Sequence, residues 1–175
     1  MSGNYSHKQP VIRSKGIYLF ITWSFLATAV FGNVTGTISL TNSSGVEQLN
    51  FAADSTLYIK VTDSDRNTNS GTAETITVSA SSETETTAET VTLTETGANT
   101  GIFMGSITFA EAAASSGDGV LQVTRGDKLT GSYTDPADDY GNETTVTDVA
   151  FYSVTLTTGS LSSSTTWTAA NSPYL

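Results

Sequence analysis

The chain has 175 residues, the size of one ordinary domain with a short extra segment and too few for two full domains. Hydrophobic residues make up 37% and charged residues 14%, while 32 Thr and 23 Ser supply 55 hydroxyl side chains; this is too little Leu, Lys, Glu and Arg for a helical bundle and abundant in the β-branched residue that suits strands. The absence of Cys excludes disulfides, thiolate metal sites and cysteine nucleophiles, and the one His, His7, lies near the N-terminus, away from any His-based triad or zinc site in the body.

Residues 1–15 carry His7, Lys8, Arg13 and Lys15, followed by an uncharged run over residues 16–32 and the small-x-small pattern Ala27-Thr-Ala29. Residues 1–32 therefore read as a secretory signal with an apolar helix, the alternative being a buried helix of the folded domain. Two fates stand for it: cleavage near Ala29 or Gly32, or retention as a signal-anchor, since 17 uncharged residues reach the lower limit for a spanning helix. Basic residues precede the run and none follows until Lys60, so the body is exported in either case, to the cell surface or the extracellular space, and membrane contact is expected only through residues 16–32. Beyond residue 32, four Lys and Arg stand against 17 Asp and Glu, a net charge of −13. Such a body repels nucleic acid and anionic lipid.

Apolar and polar residues alternate in short runs along the body, the period of half-buried strands. In chain order the expected strands are residues 34–40; a run with Leu57, Ile59 and Val61 on one face; Ile76 and Val78; Val91 and Leu93; Phe103, Ile107 and Phe109; residues 120–123; Leu129 with Tyr133; and Val146, Ala150, Tyr152, Val154 and Leu156. Turn chemistry separates them, as at Asn42-Ser-Ser-Gly45, Gly97-Ala-Asn-Thr-Gly101 and Asp135-Pro-Ala-Asp-Asp-Tyr-Gly141. Residues 111–115, with three consecutive alanines, are expected as a loop with at most one helical turn. Residues 79–89, with Glu83, Glu85 and Glu89 among Ser and Thr, are expected as a solvated hairpin tip. Seven or eight strands of this kind bury their apolar faces by stacking two sheets.

Several spaced motifs carry a resemblance: Val61-Thr-Asp-Ser-Asp-Arg-Asn67, the run from Glu89 through Thr-Gly-Ala-Asn-Thr-Gly-Ile-Phe to Ile107, Gly117-Asp-Gly-Val-Leu121, and Gly126-Asp-Lys-Leu-Thr-Gly-Ser-Tyr-Thr-Asp-Pro136. Over roughly residues 50–155 the chain resembles Ig-like repeat modules of large bacterial and archaeal cell-surface proteins. That resemblance implies an Ig-like antiparallel β-sandwich over residues 33–158. It does not distinguish spacer, adhesin and filament unit, which share the fold. Residues 164–175, with Trp167 and Tyr174, resemble the lead-in to a right-handed parallel β-helix, so residues 159–175 are expected as a linker or the start of a following module, truncated here, or as an exposed tail; the alternative is that Trp167 folds back as a core aromatic.

Asp63, Asp65, Asn67 and Asn69 place oxygen-bearing side chains at alternate positions, as the first half of a calcium loop does, and Glu74 falls at the twelfth position where a bidentate ligand belongs. Thr68 stands at the sixth position, where the sharp turn calls for glycine. A second cluster, Asp135, Asp138 and Asp139 with Asn142, is brought to the same end by the resembling modules. Calcium binding and turn capping by the same side chains are the competing readings. Arg125-Gly-Asp127 spells an integrin-type tripeptide but suits a hairpin turn. Asn33, Asn42 and Asn142 begin N-glycosylation sequons. Paired carboxylates alone suggest catalysis; the body holds no Gly-rich phosphate loop, nucleophile elbow or Ser-x-x-Lys, and its single Trp is Trp167. The expectation is a non-catalytic structural or adhesion module, whose partners are other surface modules or extracellular ligands, with two alternatives: a filament subunit in which residues 34–41 add to a neighbour's sheet, and a carbohydrate-binding module.

Overall fold

A computed structural model describes residues 32–154; residues 1–31, which hold nearly all of the expected signal, and the tail with Leu156 and Trp167, lie outside the described residues. The described chain is all-β: β1 (Thr37–Thr41), β2 (Asn50–Phe51), β3 (Thr56–Thr62), β4 (Thr75–Ser82), β5 (Glu89–Glu95), β6 (Ile102–Ala110), β7 (Val120–Gln122), β8 (Lys128–Asp135) and β9 (Thr144–Tyr152). Every expected strand is present within a few residues of its place. β2 is additional: two residues are too short to show alternation. Residues 111–115 form bends and no helical turn, closed at the start by Ala112 N–H on the Ala110 carbonyl.

The strands hydrogen-bond into one curled, mixed sheet in the order β1-β3-β6-β5-β4-β8-β9-β2, with β7 joined to β6. Most ladders are antiparallel; β2–β9 and β6–β7 are parallel. The curl comes from β6, which meets β5 only through Thr94↔Met104 and Glu95↔Phe103 and finishes its course against β7. Strand alternation decides which residues turn inward. Leu40, Ile59, Val61, Leu93, Phe103, Leu121 and Leu129 are fully or almost fully buried, each contributing roughly 1.5–3 kcal/mol by burial. Phe109 ties this core to the additional strand, stacking edge-on to Phe51 at 6.0 Å and tilted against Tyr152 at 4.9 Å.

The outward positions of β5, β4, β8 and β9 form rows of hydroxyls. Thr90 faces Ser79, Ser79 faces Ser132 and Ser132 faces Thr147, with Thr92 opposite Thr77 and Thr134 opposite Thr145 alongside. The charge on these outward positions is Lys128; apart from Asp148 in the middle of β9, the acidic residues of these strands gather at their ends. At one end lie Asp63, Glu74, Glu95 and the β8–β9 turn. At the other lie Glu83, Glu85, Glu89 and Asp127.

Candidate functional site

At the first end, β3 runs out into Asp63, which has extended backbone and caps the short 3-10 turn Ser64–Arg66. Its Oδ1 accepts the N–H groups of Asp65 (2.9 Å) and Arg66 (3.3 Å), and its Oδ2 accepts the phenol of Tyr133 at 2.6 Å. Asp63 is 1% exposed, so these bonds replace its hydration. Gly101 makes this approach possible: its φ is +61°, and a Cβ there would stand 3.0 Å from the Asp63 carbonyl oxygen, while its own carbonyl receives Asp63 N–H at 2.8 Å. Burial, with the Asp63 hydrogen bond and the Asp63 and Asp135 charges, pushes the Tyr133 phenol far above the usual tyrosine range.

The remaining predicted residues are engaged in the same way. Asp65 Oδ2 accepts Val34 N–H (2.7 Å), Asp135 accepts Gly36 N–H (2.7 Å) and Ala137 N–H (2.9 Å), and Asp139 Oδ1 accepts Thr35 N–H (2.9 Å). Asp138 Oδ1 caps Tyr140 and Asn142, both at 2.9 Å, and Asn69 Oδ1 caps Gly71 at 3.0 Å. Asn67 bonds Asn99 through its amide nitrogen, leaving its Oδ1 buried without a partner. Glu74 closes the loop that begins at Asp63. The Thr68 hydroxyl, with the N–H groups of Asn69 and Thr68, holds its carboxyl below the usual range. Burial works to raise Glu95, but N–H groups of Gly101, Thr100 and Glu74 outweigh it and hold that carboxyl low as well.

The two acidic clusters therefore do meet at one end, joined through Tyr133 and residues 34–36. Their oxygens face N–H and O–H donors, however, and among the described residues no three Asp, Glu or His side chains converge so as to hold a metal ion. A calcium ion needs 6–8 oxygen ligands; each carboxylate oxygen that accepts one N–H keeps a further lone pair, and Asn67 Oδ1 has no partner.

The opposite end corrects the expectation of a solvated tip. Residues 79–82 belong to β4, and Glu85 and Glu89 are buried at 0% and 2% exposure. Glu89 receives Gly119 N–H at 3.0 Å and Gly117 N–H on its other oxygen; Glu85 Oε2 receives Gln122 N–H at 3.0 Å, while its Oε1 is buried without a partner. Asp127 Oδ2 accepts Thr84 and Thr124 N–H groups, both at 3.0 Å, so the carboxylate of the Arg-Gly-Asp tripeptide is turned inward. Arg125 is exposed and pairs with Glu111 at 3.3 Å. Of the sequons, Asn33 and Asn142 are exposed, whereas Asn42 uses its Oδ1 to cap Ser44 and Val46. No signal in composition marked the buried pair: Glu85 and Glu89 sit in a polar run and are legible only from the turns they cap.

No known family model matches the chain, and no curated protein matches it in sequence.

Proposed function

We propose that the chain is a non-catalytic structural or adhesion module of an exported cell-surface protein, with its curled sheet folded as an Ig-like β-sandwich. The sandwich reading is supported by the way β1, β3, β6 and β7 curl over β4, β5, β8 and β9, so that Ile38 and Leu40 of β1 reach toward Gly131 of β8. One observation carries the functional reading. The carboxylates at both ends are committed to holding backbone N–H groups, which makes them struts of a rigid body rather than reactive groups awaiting a substrate. Such struts stiffen the loop ends without a bound cation, and a hydroxyl-rich outer face keeps the module hydrated.

The test is the thermal midpoint of the full chain with excess calcium and again with EGTA, at fixed salt. The expected outcome is no change. Calcium bound at about 100 times its dissociation constant would add roughly 2.7 kcal/mol and raise the midpoint by several degrees, and that result would return the Asp63 loop to a cation site.

A further inference from the structure

We propose that the cradle around β1 is a strand-acceptor site, and that a second copy of this chain fills it with its own residues 34–41, so that the protein assembles by exchanging β1.

The first observation is how the strand is held. On its β3 side, β1 makes an ordinary five-pair antiparallel ladder, Thr37↔Thr62 to Thr41↔Tyr58. On its other side the Leu40 carbonyl takes Gln48 N–H and Thr41 bridges to Glu47, while N–H groups of residues 34–36, which lead into β1, and of Leu40 find carboxylates. Val34 N–H goes to Asp65, Thr35 to Asp139, Gly36 to Asp135 and Leu40 to Asp148, at 2.7–2.9 Å. These four aspartates come from three separate parts of the chain, 31 to 108 residues away. They grip an extended backbone as a binding site grips a peptide.

The second observation is the fit of the side chains. Leu40 is 0% and Ile38 8% exposed, and they enter a slot floored by Gly131, where a Cβ would stand 2.7 Å from Leu40 Cδ2. Gly36 lies against Tyr133 with a Cβ position 2.8 Å from its ring, so the site demands no side chain there. Glycine, then apolar residues two and four positions on, is what a second copy brings.

The third observation is the connection. Beyond β1 the chain runs through Asn42, whose side chain closes a turn over Ser44 and Val46, into a surface stretch with Val46 57% and Leu49 69% exposed. This stretch flanks an open groove of about 430 Å³ bordered by Asn42, Gln48, Ser55 and Tyr58. Opening it breaks the bonds inside the turn, Asn42 N–H to the Val46 carbonyl, Gly45 N–H to the Asn42 carbonyl and Lys60 Nζ to the Gly45 carbonyl, while the bonds of the cradle are remade with the partner. Closed and exchanged forms then differ in this turn, and protein concentration decides between them.

The chain has no Cys, so introduced thiols are its only ones. Thr37 and Thr62 are register partners with exposed side chains. Full-length Thr37→Cys and Thr62→Cys chains, one isotopically labelled, are mixed at high concentration, warmed below the midpoint and oxidised. The expected result is a 37–62 linked peptide between labelled and unlabelled chains, roughly tenfold or more above 37–37 and 62–62 links, since register holds that pair at an effective concentration in the mM range. Equal yields of all three links, or no link between chains, would overturn the proposal. The double variant, oxidised while dilute, locks β1 to its own β3 and is expected to stay monomeric by light scattering. Oligomers persisting in it would come from another surface and count against exchange. Should either variant fail to fold, the unmodified chain decides: dimers or longer assemblies formed at high concentration and surviving dilution support exchange, and a monomer throughout refutes it. The calcium test of the module reading is independent of all these outcomes.

Discussion

The two ends of the sheet use carboxylates for the same purpose and differ in what they hold. At the Glu89 end, Glu89 holds Gly117 and Gly119 of a loop 28 and 30 residues on, and Asp127 ties Thr84, 43 residues back, to Thr124 beside it, so loop is joined to loop. At the Asp63 end, Asp65, Asp135 and Asp139 reach across to a segment distant in the chain, residues 34–36, while Asp63 and Tyr133 lock β3 to β8. One end ties loops to one another, the other clasps the lead-in to β1 and locks β3 to β8.

Substitutions can break this contrast, beginning with the largest effect. Asp63→Ala leaves the Tyr133 hydroxyl and two N–H groups without their acceptor, at a cost of about 3 kcal/mol, whereas Asp127→Ala, at a slightly more exposed site with two donors, costs about 1.5 kcal/mol. Paired thermal melts check the order, and equal losses would erase the difference between the ends. Next come the amide isosteres. Both oxygens of Asp135 and both of Glu89 accept N–H groups, so Asp135→Asn and Glu89→Gln each turn an amide nitrogen toward a donor and lose about 2 kcal/mol. Glu85 has only one oxygen engaged, and Glu85→Gln is expected to change stability by less than about 1 kcal/mol in urea titrations.

Titration gives the finer measurements. The folded Tyr133 phenol lies above the unfolded reference of about 10, so its contribution is complete below that pH and declines as pH rises past it. Stability measured from pH 9 to 11 should therefore fall, and Tyr133→Phe should flatten that fall while lowering stability at neutral pH by about 1.5 kcal/mol. On the acid side, Glu74 and Glu95 are held below the unfolded reference of about 4.3, so their contribution is present above that pH and fades as pH drops below it. Glu74→Gln should reduce the slope of acid unfolding, the smallest of these effects.

Much of the fold was legible because alternation is a local property. Leu57, Ile59 and Val61 marked β3, and Val91 and Leu93 marked β5, with no knowledge of their partners. The spacing from Asp63 to Glu74 pointed to a calcium loop or to turn capping, and in the structure Glu74 accepts N–H groups of Thr68 and Asn69. Whether N–H groups or a cation occupy such a loop depends on how Gly101, Tyr133 and residues 34–36 approach it, which the strand register decides. β2 was illegible because two residues carry no period; its pairing with β9 is made by Phe151 N–H on the Leu49 carbonyl and Ser153 N–H on the Phe51 carbonyl, with the Asn50 side chain bonding the backbone of Val154 beside them. The buried Glu85 and Glu89 were hidden because hydrophilic composition normally marks a solvated stretch; their burial follows from loops folding over them.

The chain enters this sheet at the Asp63 end through β1 and leaves it at the other end through β9, and the two strands run side by side in the same direction. A module pulled from its two termini would therefore carry tension along β1 and β9 in opposite senses, loading their contacts in shear. The clasp on Val34, Thr35 and Gly36, the Asp148 bond to Leu40 and the β1–β3 ladder would share the force together instead of opening one after another. Resistance to such pulling is governed by the unfolding barrier rather than by equilibrium stability. In a tethered surface protein, the aspartates that hold β1 would thus act as a mechanical clamp.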